Sequence, residues 1–161
     1  MDVFEAIRTR RSVRAFTGEA IPREDLEKIV DAGRLAASGS NKQPWDFIVV
    51  TDHTIIEQLA TTSQWIEQAG AMIAVVMDPE SRWWVEDGAA AVQNMLLAAT
   101  ALGYGSCWLE GYVLRNEDTF KTLLGVPVEK RLMVLVPVGV PVEWPTKEKK
   151  SLEEVIHWER Y

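Results

Sequence analysis

Cysteine and histidine are almost missing: Cys107 is the single thiol, and His53 and His157 are the two imidazoles, in 161 residues. One cysteine permits no internal disulfide and no Cys-rich zinc site. Positive charge is scarce too, with Lys+Arg 17 against Asp+Glu 24 and a formal net charge of −7. A surface that follows phosphates along a polyanion needs the opposite balance, so DNA and RNA are not expected as partners. Long hydrophobic runs are also lacking. The most apolar stretch, Leu132 to Val142, is eleven residues and already holds Pro137, Gly139 and Pro141, against roughly 20 for a membrane-spanning helix. The start, Met1-Asp2-Val3-Phe4-Glu5, has acids where a secretion signal needs a basic segment. These absences predict a soluble protein of the reducing cytoplasm with no membrane partner.

What remains suits one globular domain over residues 1–161, with 47% apolar and 25% charged residues. Asp2 and Glu5 predict a capped helix to about Thr9. Pro22, the acids Glu24, Asp25 and Glu27, and apolar Leu26, Ile29, Val30, Gly33, Ala36 and Ala37 predict a second helix, ended by Ser38-Gly39-Ser40-Asn41. Trp45 to Thr51 and Ala71 to Met77 read as buried strands, with a helix from about His53 to Ala60 between them. The stretch from Asp87 to Leu102 is apolar on nearly every face, which marks a helix inside a core or at an oligomer interface. Gly105 to Leu109 reads as a short strand and Asn116 to Leu124 as a helix. The unbroken run Arg131 to Val138 reads as a strand covered on both faces, and Leu152 to Trp158 as a last short element. Strands and helices mix without a regular strand-helix-strand rhythm, so the fold class is α+β.

Three segments carry candidate chemistry. Four arginines stand between positions 8 and 14 of an acidic chain. Within Arg10-Arg11-Ser12-Val13-Arg14, guanidinium groups and a hydroxyl offer charge-assisted donors to a phosphate, although a solvated basic helix end has the same composition. The loop Ser38 to Trp45 offers Asn41 and Gln43 to the edge of a heteroaromatic ring, and equally fits a helix cap with a Pro-directed turn. The glycines of Gly103-Tyr104-Gly105 and Gly111 admit close approach of a flat ligand, or simply cap and join two elements. His53 and His157 stand alone, so no Ser-His-Asp set is predicted. Cys107 sits in an apolar context where thiols are inert. Trp45 and Trp108 are expected as pocket walls, Trp65, Trp83 and Trp84 as ring cover or interface, and Trp144 and Trp158 as anchors of an extended tail.

RRSVRAF, SGSNKQPWDFIVV, AAAVQNMLLAATALGYGSCW and a strand ending VPVGVP, followed by the basic tail KEKKSLEEVIHWERY, occur in an order and spacing that resembles the FMN-dependent nitroreductase superfamily over almost the entire chain. The resemblance implies an α+β homodimer, built on a mixed or antiparallel central sheet flanked by helices, with FMN at the subunit interface. It implies that Arg10, Arg11, Ser12 and Arg14 form the first flavin-binding motif. Within it, Arg10 and Ser12 are directed to the phosphate and ribityl chain, and Arg14 to the pyrimidine edge of the ring. Asn41 matches the residue that meets the ring, and Ser38 is expected to act from the partner subunit. Glu110 and Gly111 match the place where backbone N–H groups approach flavin N5. Lys149, with Lys150 as its neighbouring alternative, matches the cation on the phosphate, where the family commonly has arginine. The flavin carries the chemistry, and no catalytic side chain is implied. The activity implied is ping-pong hydride transfer from NADH or NADPH to a nitroaromatic, quinone or similar electron-poor small molecule. A flavin-binding protein without turnover, a reductive dehalogenase and a specialised flavin oxidase are the alternatives. The short span between Thr51 and Ala71 implies a reduced substrate lid.

Overall fold

In the computed structural model, which describes residues 1–61 and 63–161, β1 (Trp45–Val50), β2 (Ala71–Met77), β3 (Gly105–Ser106) and β4 (Arg131–Gly139) form an antiparallel sheet of order β1-β2-β4-β3. Alternate residues of β2 enter different layers. Ala71, Ile73, Val75 and Met77 pack with α2 (Arg23–Arg34) and α5 (Trp84–Ala101). Met72, Ala74 and Val76 pack on the other face with α3 (His53–Ala60), α6 (Glu110–Leu114) and α7 (Glu117–Leu124). Helical cover on both faces explains why β2 and β4 are nearly continuous in apolar residues. A bulge opposes Val75 to Val134 and Val76 to Leu132. It leaves Met133 as the extra residue, and its side chain joins the α2/α5 layer.

α1 (Val3–Thr9) starts as expected, with the Asp2 carboxylate accepting from Glu5 N at 2.9 Å. Several expectations need correction. β1 is not buried like β2: Asp46 and Val49 are exposed because β1 is a sheet edge. α2 stops at Arg34, before Ala36 and Ala37, and α5 begins at Trp84 rather than Asp87. Leu152 to Trp158 forms only a turn, in which Val155 N and Ile156 N donate to Leu152 O. Trp144 and Trp158 are 42% and 75% exposed, so neither is a buried anchor within this chain. Two short helices without enough length for a periodic pattern, α4 (Gln64–Glu67) and α6, were not predicted. Thr62 lies outside the described residues of the short Thr51–Ala71 span. Among the described residues, no helix is long and apolar enough to cross a membrane, and no cluster of His, Cys, Asp and Glu is placed to hold a metal.

Candidate functional site

The basic segment leaves α1 in an extended path stitched to one end of the sheet. Val13 N donates to Ser106 O at 3.0 Å, Thr17 N to Val140 O at 3.0 Å and Val142 N to Ala15 O at 3.0 Å. Val13 is fully buried, and its contact explains a glycine: a Cβ on Gly105 would lie 2.7 Å from Val13. Strand packing against Val13 is by itself enough to require a glycine there. With Val13 turned inward, alternation turns Ser12 and Arg14 outward. They line a cleft of about 400 Å³ with Arg10, Arg11 and Ala15 on one side and Glu143, Pro145, Lys147 and Lys149 on the other. Five cations thus face one carboxylate. The tail wall is fixed by Arg11, whose Nε donates to Lys147 O at 3.0 Å and whose Nη1 donates to Arg8 O and Arg10 O at 2.8 Å each.

A second, shallow cleft of about 500 Å³ shares Arg14 and Ala15 with the first and is lined otherwise by Phe16, Gln64, Trp65, Glu67 and Gln68. Trp65 of α4 lies beside Phe16, with ring centroids 6.3 Å apart. Below the arginines, Cys107 is buried. Burial pushes its thiol up, against the pull of Arg14 and Arg10. Ser106 Oγ is buried with no hydrogen-bond partner among the described residues. Farther along the chain, Trp108 Nε1 donates to Glu110 Oε2 at 3.1 Å. Glu110 and Gly111 open α6, where first-turn N–H groups have no partner within the helix.

The loop Ser38–Gln43 stands elsewhere. Ser38 Oγ accepts from Gln43 N at 3.0 Å, and Gln43 Nε2 donates to Asn41 O at 3.2 Å. The loop leads into Trp45, which pairs with Met77, itself paired with Arg131 at the start of β4. Ser12 bridges Ser106, which pairs with Val138 near the end of β4. At the usual rise per strand residue the two regions are roughly 25 Å apart. One chain therefore brings together Arg10, Arg11, Ser12, Arg14 and Lys149, and it leaves Ser38 and Asn41 at the opposite end of the sheet. Lys150 is exposed and outside the cleft lining. Lys147, part of the basic run at 147–150 that the sequence offers to a phosphate, also lines the cleft, and Glu143 joins it with no signal in the sequence. A cleft of about 630 Å³ between α2 and the edge of β1 contains none of these groups.

Trp83 and Trp84 are held by cations. Arg82 lies 4.6 Å from the Trp83 ring centroid and Arg131 lies 5.6 Å from that of Trp84.

Residues 7–63 and 58–140 match the model of the Nitroreductase family. The chain belongs to the nitroreductase family. A family relative from Archaeoglobus fulgidus, provisionally named NADH dehydrogenase/NAD(P)H nitroreductase, is 39% identical over 162 residues, covering 95% of this chain and 90% of its own. The solved structure of a provisionally named nitroreductase from Desulfovibrio desulfuricans, in complex with FMN, superposes with a TM-score of 0.85 at 32% identity, over 100% of this chain and 98% of that one. A nitroreductase with bound FMN from Bacteroides fragilis gives a TM-score of 0.82 at 31% identity, over 99% of this chain and 100% of that one. The α+β fold with its antiparallel sheet is thus the fold of the nitroreductase family.

Proposed function

We propose that this protein is an FMN-dependent NAD(P)H oxidoreductase, a single domain over residues 1–161 acting as a cytoplasmic homodimer, that reduces a nitroaromatic, quinone or similar electron-poor small molecule. The observation that carries this reading is the cleft in which Arg10, Arg11, Arg14, Lys147 and Lys149 surround one carboxylate. In an acidic chain, that concentration of cations suits a compact dianion such as a phosphate monoester. The FMN-bound relatives supply the rest of the ligand.

Arg10 and Ser12 would hold the phosphate and the ribityl chain, and Lys149, with Lys150 as its neighbouring alternative, the phosphate. Arg11 fixes the tail that carries the lysines. Arg14 is exposed at the junction of the two clefts, which suits a cation at the pyrimidine edge, where negative charge grows on reduction. The N–H groups of Glu110 and Gly111 would approach the redox-active part of the ring, and the second cleft, lined by Trp65, would admit the substrates. The chemistry that FMN supplies when bound is two-electron transfer, from NADH or NADPH and then to an oxidant that takes the nicotinamide's place, hence ping-pong kinetics.

The dimer is supported by distance. Ser38 and Asn41 are too far from the arginines of their own chain to meet the same flavin, so both reach it from the second copy. An unpartnered apolar face agrees: Val3, Phe4 and Ile7 on α1 are 60%, 66% and 54% exposed.

The test is spectroscopic. Purified protein supplied with FMN should turn yellow and retain the colour on desalting. Anaerobic NADH or NADPH should bleach it, and a quinone or nitroaromatic should restore it. Protein that takes up no FMN overturns the reading; uptake without bleaching leaves a flavin-binding protein that does not turn over.

A further inference from the structure

The first turn of α5 carries two acids, Glu86 and Asp87, and only Glu86 is exposed to solvent as helix-start acids usually are. Asp87 is 5% exposed. Its Oδ1 accepts from Gly39 N at 2.8 Å across 48 positions of sequence, and its Oδ2 has no partner among the described residues. Burying a carboxylate with one oxygen unmatched is costly, so the remaining bond calls for an explanation.

Its target is a loop in an unfavourable conformation. Ser40, Asn41 and Gln43 have φ of 51°, 56° and 52°, in the left-handed region that residues with a Cβ avoid. Such geometry persists only when its surroundings impose it. Two contacts from the start of α5 do so. Asp87 pins the Gly39 amide, and the Trp83 ring lies against the same residue so closely that a Cβ on Gly39 would stand 2.5 Å from Trp83 Cδ1. Ser38 Oγ closes the loop from within by accepting from Gln43 N.

We infer that Asp87 is a positioning residue: through Gly39 N it holds the Ser38–Gln43 loop in the form that presents Asn41 to the cofactor site of a second copy. This rests on the flavin reading above. Asp87 itself touches neither cofactor nor substrate. It converts the rigid start of α5 into a fixed loop geometry, so that ordering the loop is not charged against cofactor binding.

Two readouts on the whole 161-residue chain test it. One is tryptic cutting at Lys42–Gln43 in the FMN-free protein; the other is FMN affinity together with the visible absorption bands of bound FMN. Asp87→Ala should raise the cutting rate about tenfold, weaken FMN binding about tenfold and shift the bands. Asp87→Asn keeps an oxygen that accepts from Gly39 N and should stay within about threefold of wild type in both. If Asp87→Ala does not fold, Asp87→Ser, which withdraws the acceptor from Gly39 while keeping a polar atom, is read the same way. Wild-type cutting in the alanine or serine variant overturns the inference, as does faster cutting with unchanged FMN affinity and bands. Wild-type protein that takes up no FMN overturns the parent reading and this inference together, whereas normal uptake with an indifferent Asp87→Ala overturns the tether alone.

Discussion

Arg10 and Arg11 are neighbours with different work. The Arg11 guanidinium is committed to three backbone carbonyls, one of them on the tail, and so acts as a clamp. Arg10 closes α1 by donating its backbone N–H to Ala6 O at 2.9 Å and gives its side chain to the cleft. Arg10→Ala should therefore weaken FMN binding about ten- to a hundredfold, the effect of one charged hydrogen-bonding contact of about 1.5–3 kcal/mol, and leave thermal stability near wild type. Fluorescence quenching of FMN on titration measures this, and unchanged affinity removes Arg10 from the site. Consecutive arginines in a sequence do not reveal which turns to a ligand and which to the chain itself. The motif was legible; the division of labour within it depends on a tail more than 130 positions away.

At the scale of elements, α7 is tied to β4 by one ion pair. Glu117 Oε1 and Oε2 accept from Arg131 Nε at 2.7 Å and Nη2 at 2.8 Å, and Oε1 also accepts from Leu132 N at 3.0 Å. The Arg131 hydrogen bonds hold the Glu117 carboxyl below the ordinary glutamate value of 4.5. The stabilisation is thus complete above that value and is lost as the pH falls through the lower folded-state value. Solvent at Arg131 limits it to about 1 kcal/mol. Thermal melts from neutral to acid pH should show wild type losing this advantage over Glu117→Gln on acidification; parallel curves would contradict the pairing. Long elements with a clear period or a buried run, such as α3, β2 and β4, were readable because burial imposes the pattern. The four- and five-residue helices α4 and α6 were not, since neither completes two turns. The start of α5 was misjudged because the charged pair Glu86-Asp87 separates Trp84 and Val85 from the apolar run, and β1 because its apolar sequence does not disclose that one side lacks a neighbour. The tail failed for a related reason: Leu152, Val155 and Trp158 look like one buried face, yet in a single chain they are exposed.

The whole molecule poses a question of division between two copies. If Arg10 and Asn41 serve one flavin from different chains, an Arg10→Ala chain and an Asn41→Ala chain should complement each other. In the mixed dimer one site inherits both defects and the other neither. Co-refolding equal amounts, with random pairing, should restore about a quarter of the sites, measured as NAD(P)H-dependent quinone reduction against each variant refolded alone. No gain over the separate variants would mean that both residues act within one chain. The sequence placed the two motifs in one chain, and only the sheet register shows them at opposite ends of it. The buried position of the lone thiol bears on how such mixtures are followed. Cys107 is 1% exposed, so thiol-directed dyes should pass it by in the folded protein. A cysteine placed at exposed Lys42 becomes a single labelling point per subunit, allowing energy transfer between two dyes to report subunit exchange and loop separation without first removing a native thiol.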